Sequence, residues 1–148
     1  MNAAEDGEQI VAERVVFGMM AKDAFSQWLG ITLVKVEPRA VSTRLTVRED
    51  MVNGFGVCHG GVTFSLADSA LAFASNTHGR VTVSIENSIT YPKRVSIGDV
   101  LTAVAEEESA TNRLAFYRVT VLRSDDPSDV VALFRGTVYK TNQVFLPA

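Results

Sequence analysis

Residues 62–76 are apolar or small on almost every side of a helix and include no proline. A helix with this composition is buried, because it has no polar face to turn towards water. Beyond it the hydrophobic period changes, and short turn signals separate four β-rich stretches at residues 81–91, 100–108, 114–123 and 130–140. The chain must therefore fold so that its strands enclose one helix.

Before the buried helix, apolar residues between 8 and 29 recur at helical spacing and a glycine follows. This pattern predicts one amphipathic N-terminal helix over residues 8–29, with Trp28 in the core. Two strand-like stretches, 31–37 and 41–47, and a glycine-rich loop lead into the central helix, predicted over residues 59–77. Grouped helices and short strand connections indicate an α+β fold, in which an antiparallel sheet curls around the central helix.

A chain of 148 residues that is 47% hydrophobic can form one core but is too short for two ordinary domains, so we predict a single domain over residues 1–148. The lone Cys58 excludes an intrachain disulfide framework and suits a reducing compartment. A net charge of −3, with Lys and Arg spread evenly, disfavours a nucleic-acid partner. Without a secretory signal or a membrane-spanning apolar run, we expect a cytoplasmic protein with no membrane partner.

Asp68 is the only Asp, Glu, Lys or Arg between residues 51 and 78, and it lies inside the predicted buried helix. An apolar setting penalises the charged form of a carboxylate, so such a group is paired, hydrogen-bonded or raised in pKa, and is a candidate for an active site. Small residues on the same helical face, among them Gly61 and Ser65, leave room for a ligand. The alternative is a structural aspartate bonded to the backbone or to a serine.

The turn Cys58-His59-Gly60-Gly61 precedes the central helix. Its glycine N–H groups can hold a developing oxyanion, with a plain glycine turn as the alternative. Gly60 and Asp68 are eight residues apart, which is roughly 12 Å along a helix, whereas an oxyanion donor and an attacking group must meet within roughly 3 Å of one carbonyl. One chain cannot supply both, which predicts a two-fold dimer with antiparallel central helices and two composite sites.

Other chemistry-bearing residues give weaker indications. Cys58 lacks an evident separate base, so we expect it to be buried packing rather than a nucleophile. The two histidines, Cys58 and Asp68 lack metal-ligand spacing, and we predict no metal. His59 either lines the site, fixes the glycine turn or lies exposed. Lys93 and Arg94 form a basic pair suited to a phosphorylated ligand, with solvated surface charge as the alternative.

Residues 53–70, with a histidine-glycine-glycine turn and a serine-leucine-alanine-aspartate helix, resemble the signature of hotdog-fold acyl-CoA thioesterases, especially the phenylacetate-degradation (PaaI-type) branch. The similarity extends to residues 30–31, 98–103 and 132–137, so it covers nearly the whole chain. The sequence departs from the family at Tyr91-Pro92-Lys93-Arg94, where an aromatic residue followed closely by Arg-Pro is common.

The resemblance implies hydrolysis of an acyl-CoA thioester by a homodimer, and usually by a tetramer of paired dimers. No metal or redox cofactor is implied, since coenzyme A is part of the substrate. Carried over by position, Asp68 is the catalytic carboxylate, Gly60 the backbone donor to the thioester oxygen, and Asn53 the side chain that orients the carbonyl or water, while His59 lines the site. The residues expected to contact the substrate are Gly61, Ser65, Ser69, Ser84, Lys93 and Arg94.

The favoured substrates are aryl- or arylacetyl-CoA thioesters, with phenylacetyl-CoA or its ring-hydroxylated derivatives first. Asp68 either attacks the thioester carbon or activates water. Two other functions remain open. A hotdog enoyl-thioester hydratase or dehydratase would pair a histidine with the carboxylate, and a non-catalytic acyl-CoA-binding module would have no need of Asp68 in an apolar helix.

Overall fold

The computed structural model describes residues 2–145; residue 1 and residues 146–148, the ends of the predicted domain 1–148, lie outside the described residues. In chain order the elements are α1 (Ala3–Lys22), α2 (Ala24–Leu29), β1 (Thr32–Glu37), β2 (Ala40–Thr46), a 3-10 turn (Glu49–Met51), α3 (Gly60–Asn76), β3 (Arg80–Thr90), β4 (Val100–Ala110), β5 (Leu114–Arg123) and β6 (Val130–Val144).

The six strands form one antiparallel sheet in the order β1-β2-β4-β5-β6-β3. Helix α3 packs against every strand from β2 to β6. Its Leu66, Leu71 and Phe73 side chains are fully buried and face a sheet side that includes the buried Val119 and Phe134. The predicted α+β architecture, an antiparallel sheet around one apolar helix, is confirmed.

The central helix spans Gly60–Asn76, one residue less at each end than the predicted range 59–77. His59 and Thr77 are its N-cap and C-cap. Between residues 2 and 145, none of the helices is both long and apolar enough to cross a membrane.

The N-terminal region differs from the prediction, because two helices replace a single helix over residues 8–29. Helix α1 begins earlier, since the Asn2 side chain accepts hydrogen bonds from two N–H groups of the first turn. The break lies at Asp23, whose backbone is not helical and whose carboxylate accepts from the Ser26 N–H at 2.9 Å and from the Ser26 hydroxyl at 2.6 Å. Aspartate is a strong N-cap, so it starts a second helix there.

The prediction that Trp28 lies in the core is wrong, because its side chain is 69% exposed. Helix α2 buries Ser26 and Leu29 instead. At helical spacing this leaves Phe25 and Trp28 on the outer side, where their rings lie 5.9 Å apart.

Among the described residues 2–145, strand β3 lies at one end of the sheet and pairs only with β6. Its Val83 and Ile85 side chains are 47% and 59% exposed. An unpaired edge with apolar side chains is a template for pairing with another chain.

Candidate active site

The loop before α3 is organised by Asn53. Its Oδ1 accepts from the N–H groups of Phe55 at 2.9 Å and Val57 at 3.3 Å, and its own N–H donates to the Val57 carbonyl at 2.8 Å. Asparagine favours such turns because its short side chain bonds the backbone a few residues on. Within residues 2–145 the Nδ2 group has no acceptor, so it can donate to a ligand.

Helix α3 begins with a backbone donor that no protein group uses. The His59 Nδ1 atom accepts from the Gly61 N–H at 2.9 Å, which places the histidine proton on Nε2. The Gly60 N–H meets no acceptor in the part of the chain that the structure describes. It points from the positive end of the helix dipole. Gly60 therefore has a backbone N–H without a protein acceptor within residues 2–145, whereas the N–H of Gly61 is occupied by His59, which fixes the turn.

Tyr91 closes over Gly60, and sequence reasoning missed it as a site residue. Its phenol donates to the Gly60 carbonyl at 2.7 Å. A Cβ on residue 60 would lie 3.0 Å from the phenol oxygen and 3.1 Å from Cζ, so glycine permits this close approach. Partial burial raises the pKa of Tyr91, which keeps its hydroxyl protonated as a donor. The sequence signal was an aromatic residue before Pro92 at the end of β3.

Asp68 lies near the middle of α3 on the one stripe of the helix that is not fully buried, a stripe that also carries Gly61, Ser65 and Ala72. Burial raises the pKa of the Asp68 carboxyl. A hydrogen bond from Asn87 lowers that pKa, and the nearby negative charge of Asp23 raises it. The carboxylate is thus partly desolvated yet accessible along the stripe.

Asn87 on β3 holds the carboxylate. Its Nδ2 donates to Asp68 Oδ1 at 3.1 Å. Gly136, its cross-strand partner on β6, leaves space for this side chain, because a Cβ there would lie 2.8 Å from Asn87 Oδ1 and 2.4 Å from Leu71. Sequence reasoning missed both residues, since only the register of β3 against β6 brings them to Asp68.

One protomer keeps the two chemical groups apart. Gly60 and Asp68 lie eight residues apart on one continuous helix, so about 12 Å of axis separates them. Asp68 instead approaches the free edge of the sheet, because its partner Asn87 belongs to β3. Within one protomer the Gly60 N–H therefore does not reach Asp68.

The other residues predicted to contact substrate fall into three places. Ser65 lies on the Asp68 stripe and donates to the Gly61 carbonyl at 2.7 Å. Ser69 is buried beneath α2, with its hydroxyl 2.8 Å from that of Ser26. Ser84 is exposed on β3, with its hydroxyl 3.4 Å from Asn87 Oδ1. Only the first and third of these serines can meet a ligand.

The predicted basic pair lies at the end of β3. Lys93 is ion-paired with Asp129 at 3.0 Å, which leaves only part of its charge for a ligand. The Arg94 side chain is exposed and makes no ion pair within residues 2–145. Arg94 is therefore better placed than Lys93 to meet an anion.

Cys58 is 8% exposed and packs in the core, and burial raises the pKa of its thiol. A raised pKa lowers the thiolate fraction, so the environment does not activate a nucleophile. Over the described residues 2–145, His, Cys, Asp and Glu side chains form no group of three or more that could hold a metal ion.

An aromatic cleft adjoins the start of α3. It has a volume of about 170 Å³, and Phe25 and Trp28 form one wall while His59, Gly61 and Ser65 form another. The N-terminal segment therefore places two aromatic rings beside the glycine turn and the Asp68 stripe.

Comparisons with known proteins agree with this geometry. A family model described as the thioesterase superfamily matches residues 55–129. A putative esterase of Archaeoglobus fulgidus is 37% identical over 137 residues, covering 93% of this chain and 88% of that protein. The acyl-coenzyme A thioesterase PaaI of Escherichia coli is 33% identical over 122 residues, covering 82% of this chain and 86% of that protein.

Solved structures show the same similarity. The Escherichia coli PaaI protein from the phenylacetic acid degradation operon matches with a TM-score of 0.89 and 30% identity, covering 93% of this chain and 99% of that one. A Streptococcus mutans protein solved bound to acetyl CoA matches with a TM-score of 0.72 and 25% identity, covering 78% and 91% of the two chains.

The matches extend over the sheet and the central helix, so the fold is the hotdog fold and the chain is an enzyme of that class. More particularly, the chain belongs to the thioesterase superfamily.

Proposed function

We propose that this protein hydrolyses acyl-CoA thioesters to a free acid and coenzyme A. The favoured substrates are aryl- and arylacetyl-CoA thioesters, and phenylacetyl-CoA and its ring-hydroxylated derivatives come first among them. Asp68 carries this proposal, as a partly desolvated carboxylate held by Asn87 on a stripe of small residues. The thioesterase activity in the name of the Escherichia coli relative, and the acetyl CoA bound to the Streptococcus mutans protein, support the acyl-CoA part.

The site of this proposal is composite. Two copies pair along β3, whose outer edge is open and whose Val83 and Ile85 side chains are exposed. The two α3 helices then run antiparallel, and the Gly60 N–H and the Asn53 amide of one copy face Asp68 of the other. The proposal is a homodimer with two such sites, and a tetramer formed from paired dimers.

The chemistry divides between the two copies. The Gly60 N–H holds the thioester oxygen as negative charge develops on it, and the Asn53 Nδ2 group orients the carbonyl or the water. Asp68 acts in its ionised form, either by attacking the thioester carbon, so that the C–S bond breaks and the coenzyme A thiolate leaves a mixed anhydride, or by taking a proton from the water that attacks this carbon and displaces the thiolate. The raised pKa of the Asp68 carboxyl makes its ionised form a better base.

Single-turnover hydrolysis in labelled water separates these two routes. Label in the Asp68 carboxylate requires the covalent route, in which water attacks the aspartyl carbon of the anhydride. A carboxylate free of label excludes attack at that carbon and is the result expected when Asp68 is the general base.

The aromatic cleft supports an aryl substrate. Phe25 and Trp28 form a tilted pair beside His59 and Gly61, and aromatic rings favour offset or edge contacts with a further ring. Arg94 is assigned to the coenzyme A phosphates because its exposed guanidinium can bind them in a bidentate manner. The buried, unpaired thiol of Cys58 suits the reducing cytoplasm in which we place this activity.

The first test is thiol release, followed with a chromogenic thiol reagent. The panel holds phenylacetyl-, hydroxyphenylacetyl-, benzoyl- and straight-chain acyl-CoA thioesters. Turnover of the aryl members that is lost in Asp68→Asn supports both the reaction and the residue. Binding of all members without turnover contradicts the enzyme and indicates an acyl-CoA-binding module.

The aryl preference has its own test in Trp28→Ala. We expect kcat/KM for phenylacetyl-CoA to fall about tenfold, while that for a short straight-chain thioester changes less than about threefold, because an aromatic pair contributes about 0.5–1.5 kcal/mol beyond its buried area. Phe17→Ala removes another exposed aromatic, which belongs to α1 and lies outside the cleft, and serves as the matched control. Equal losses on both substrates contradict the aryl assignment.

A hydratase or dehydratase is less well supported. That reaction needs a histidine able to accept and return a proton. The His59 Nδ1 atom already accepts from the Gly61 N–H, which restrains the ring as a helix cap. Loss of enoyl absorbance on mixing with crotonyl-CoA would favour the hydratase instead.

A further inference from the structure

A second cavity lies at the opposite end of α3 from the glycine turn and has a volume of about 540 Å³. Parts of α1, the turn between β1 and β2, the residues that follow α3, and strands β3, β4 and β6 surround it. It shares no residue with the candidate active site. Its volume lies in the range of sites that bind small organic molecules.

Cations dominate the polar wall of this cavity. Arg39, Arg80 and Lys140 line it against the two carboxylates of Glu8 and Glu107, which leaves a net charge of +1 in a chain whose net charge is −3. The ion pair of Arg39 with Glu8 is long, at 3.7 Å, and both side chains are exposed, so it neutralises little of the charge.

Arg80 and Lys140 are held by backbone carbonyls rather than by carboxylates. The Arg80 guanidinium donates to the carbonyls of residues 112, 140 and 141 at 3.1–3.3 Å. The Lys140 ammonium donates to the Thr111 carbonyl at 2.7 Å. Within the described chain neither side chain makes a salt bridge, and both retain N–H donors without an acceptor. These two cations are positioned in advance for an anion.

Arg39 reaches the cavity from a strained backbone. Its φ is +62°, a left-handed conformation that is uncommon for arginine. Its N–H donates to Thr77 Oγ1 at 2.9 Å, and its carbonyl accepts from the Glu107 N–H at 3.1 Å. Strained residues held in this way cluster at ligand sites.

His78 adds a neutral donor to the wall. Its Nδ1 accepts from the Arg80 N–H at 3.0 Å, so the proton lies on Nε2. Desolvation lowers the pKa of His78, and the positive charges of Lys140 and Arg80 lower it further. The histidine side chain therefore adds an N–H donor without adding charge.

We propose that this cavity is a binding site for a small organic monocarboxylate, separate from the thioesterase site. The net charge of +1 matches a single negative charge, and Arg80 and Lys140 offer the donors that a carboxylate accepts. Val11 and Pro38 also line the cavity and give it apolar surface for the body of the ligand. The site requires no thioester chemistry.

The test is a titration of the full-length protein with phenylacetate, followed through the backbone amide resonances of residues 39 and 77–80. We expect saturable shifts at these amides below about 10 mM, the weak end of specific small-ligand binding. Acetate lacks an apolar body, so we expect it to bind at least about tenfold more weakly, as judged from the same amides. No saturable shift up to that concentration overturns the proposal, and acetate binding as tightly as phenylacetate overturns the role of the apolar wall.

Variants assign the binding to the cavity cations. Lys140→Gln is expected to weaken the binding of phenylacetate about tenfold, because one charge-assisted contact is lost. Lys140→Arg is expected to keep most of the affinity, because that contact is retained. Arg113→Gln is the matched control, since Arg113 donates to the Lys140 carbonyl but does not line the cavity. Wild-type affinity in Lys140→Gln, with unchanged amide shifts elsewhere to show a native fold, overturns the site.

Inorganic phosphate provides the last arm of the test. Near neutral pH inorganic phosphate is a mixture of its monoanion and dianion, and the dianion matches a site of net charge +1 less well than a monocarboxylate does. Shifts of the residue 77–80 amides by phosphate but not by phenylacetate would overturn the carboxylate assignment.

Discussion

The two ends of α3 present positive charge in different ways. At its beginning the Gly60 N–H is a backbone donor that meets no acceptor within residues 2–145, and no Asp, Glu, Lys or Arg lies between residues 51 and 67. At its end, Arg39, Arg80 and Lys140 surround a cavity. The helix dipole explains the difference, because the N-terminus supplies partial positive charge from the backbone, whereas the C-terminus is partly negative and needs side-chain cations to attract an anion.

The comparison shows where glycine and where charge are required. Backbone donors act only if a ligand can come close, so the first end of α3 has Gly60 against Tyr91. Cationic side chains extend away from the backbone, so the C-terminal end of α3 tolerates bulky residues. These side chains must instead be held in position, as the backbone carbonyls around Arg80 hold its guanidinium.

The largest expected effect is that of Asp68→Asn on turnover. The change removes the nucleophile or base, so kcat should fall at least about a hundredfold. Thiol release from phenylacetyl-CoA measures it. Asp6→Asn, an exposed carboxylate on α1, is the control and should turn over normally. Near-wild-type turnover by Asp68→Asn would remove this residue from the mechanism.

The same variant should not lose stability. Burial raises the pKa of Asp68 in the folded state, so the fold favours the protonated carboxyl. The contribution of Asp68 to stability is therefore present below its ordinary pKa and is lost as the pH rises through the folded value. At pH 7 the neutral asparagine avoids this penalty, and the Tm of the variant should equal or exceed that of the wild type. A large drop in Tm would mean that the carboxylate is structural.

Gly60→Ala tests the backbone N–H donor at the N-terminus of α3. Its Cβ would meet the Tyr91 ring at 3.0–3.1 Å, and this half-exposed ring can move aside by a few tenths of an ångström. We expect kcat/KM to fall about tenfold, because a displaced donor loses part of its effect on the oxyanion, with a change in stability of no more than about 1 kcal/mol. Gly54→Ala, whose Cβ meets nothing within 4 Å, is the matched control. Equal activity of the two variants would contradict the role of the close approach.

The sequence revealed those parts of the fold and site that depend on local pattern. The apolar run of residues 62–76 predicted the buried helix, and the isolation of Asp68 in that run identified the carboxylate. Asn87 and Tyr91 could not be found in this way. They lie 19 and 31 residues from Asp68 and Gly60, and only the register of β3 brings them together.

The N-terminal segment shows the limit of periodicity. Apolar spacing continues through residue 23, so a single helix was predicted, yet the Asp23 side chain competes for the Ser26 N–H and ends α1. The sequence signal for this break was Asp23 three residues before Ser26, a spacing that allows the aspartate to cap a new helix. Trp28 was misplaced because a hydrophobic residue at helical spacing does not show which face of a six-residue helix meets α3.

A smaller effect is expected on the pH profile of turnover. Asn87→Ala removes the hydrogen bond that lowers the pKa of Asp68, so the acidic limb of kcat/KM should move to higher pH. Asp23→Asn removes a nearby negative charge that raises this pKa and should move the limb to lower pH, while asparagine keeps the α2 cap. Shifts in the same direction would contradict the assignment of that limb to Asp68.

The smallest effect is expected at the other end of α3, where Arg39 holds a left-handed backbone. Arg39→Gly relieves this conformation, and glycine should stabilise the fold by about 0.5–1 kcal/mol relative to Arg39→Ala, which keeps it. Thermal melting should show the glycine variant about 1–4 °C above the alanine variant. Both variants lose the same cation and should weaken phenylacetate equally in the cavity. If the alanine variant melts higher, the turn stores no strain; if the two differ in affinity, the backbone of residue 39 rather than its charge determines binding.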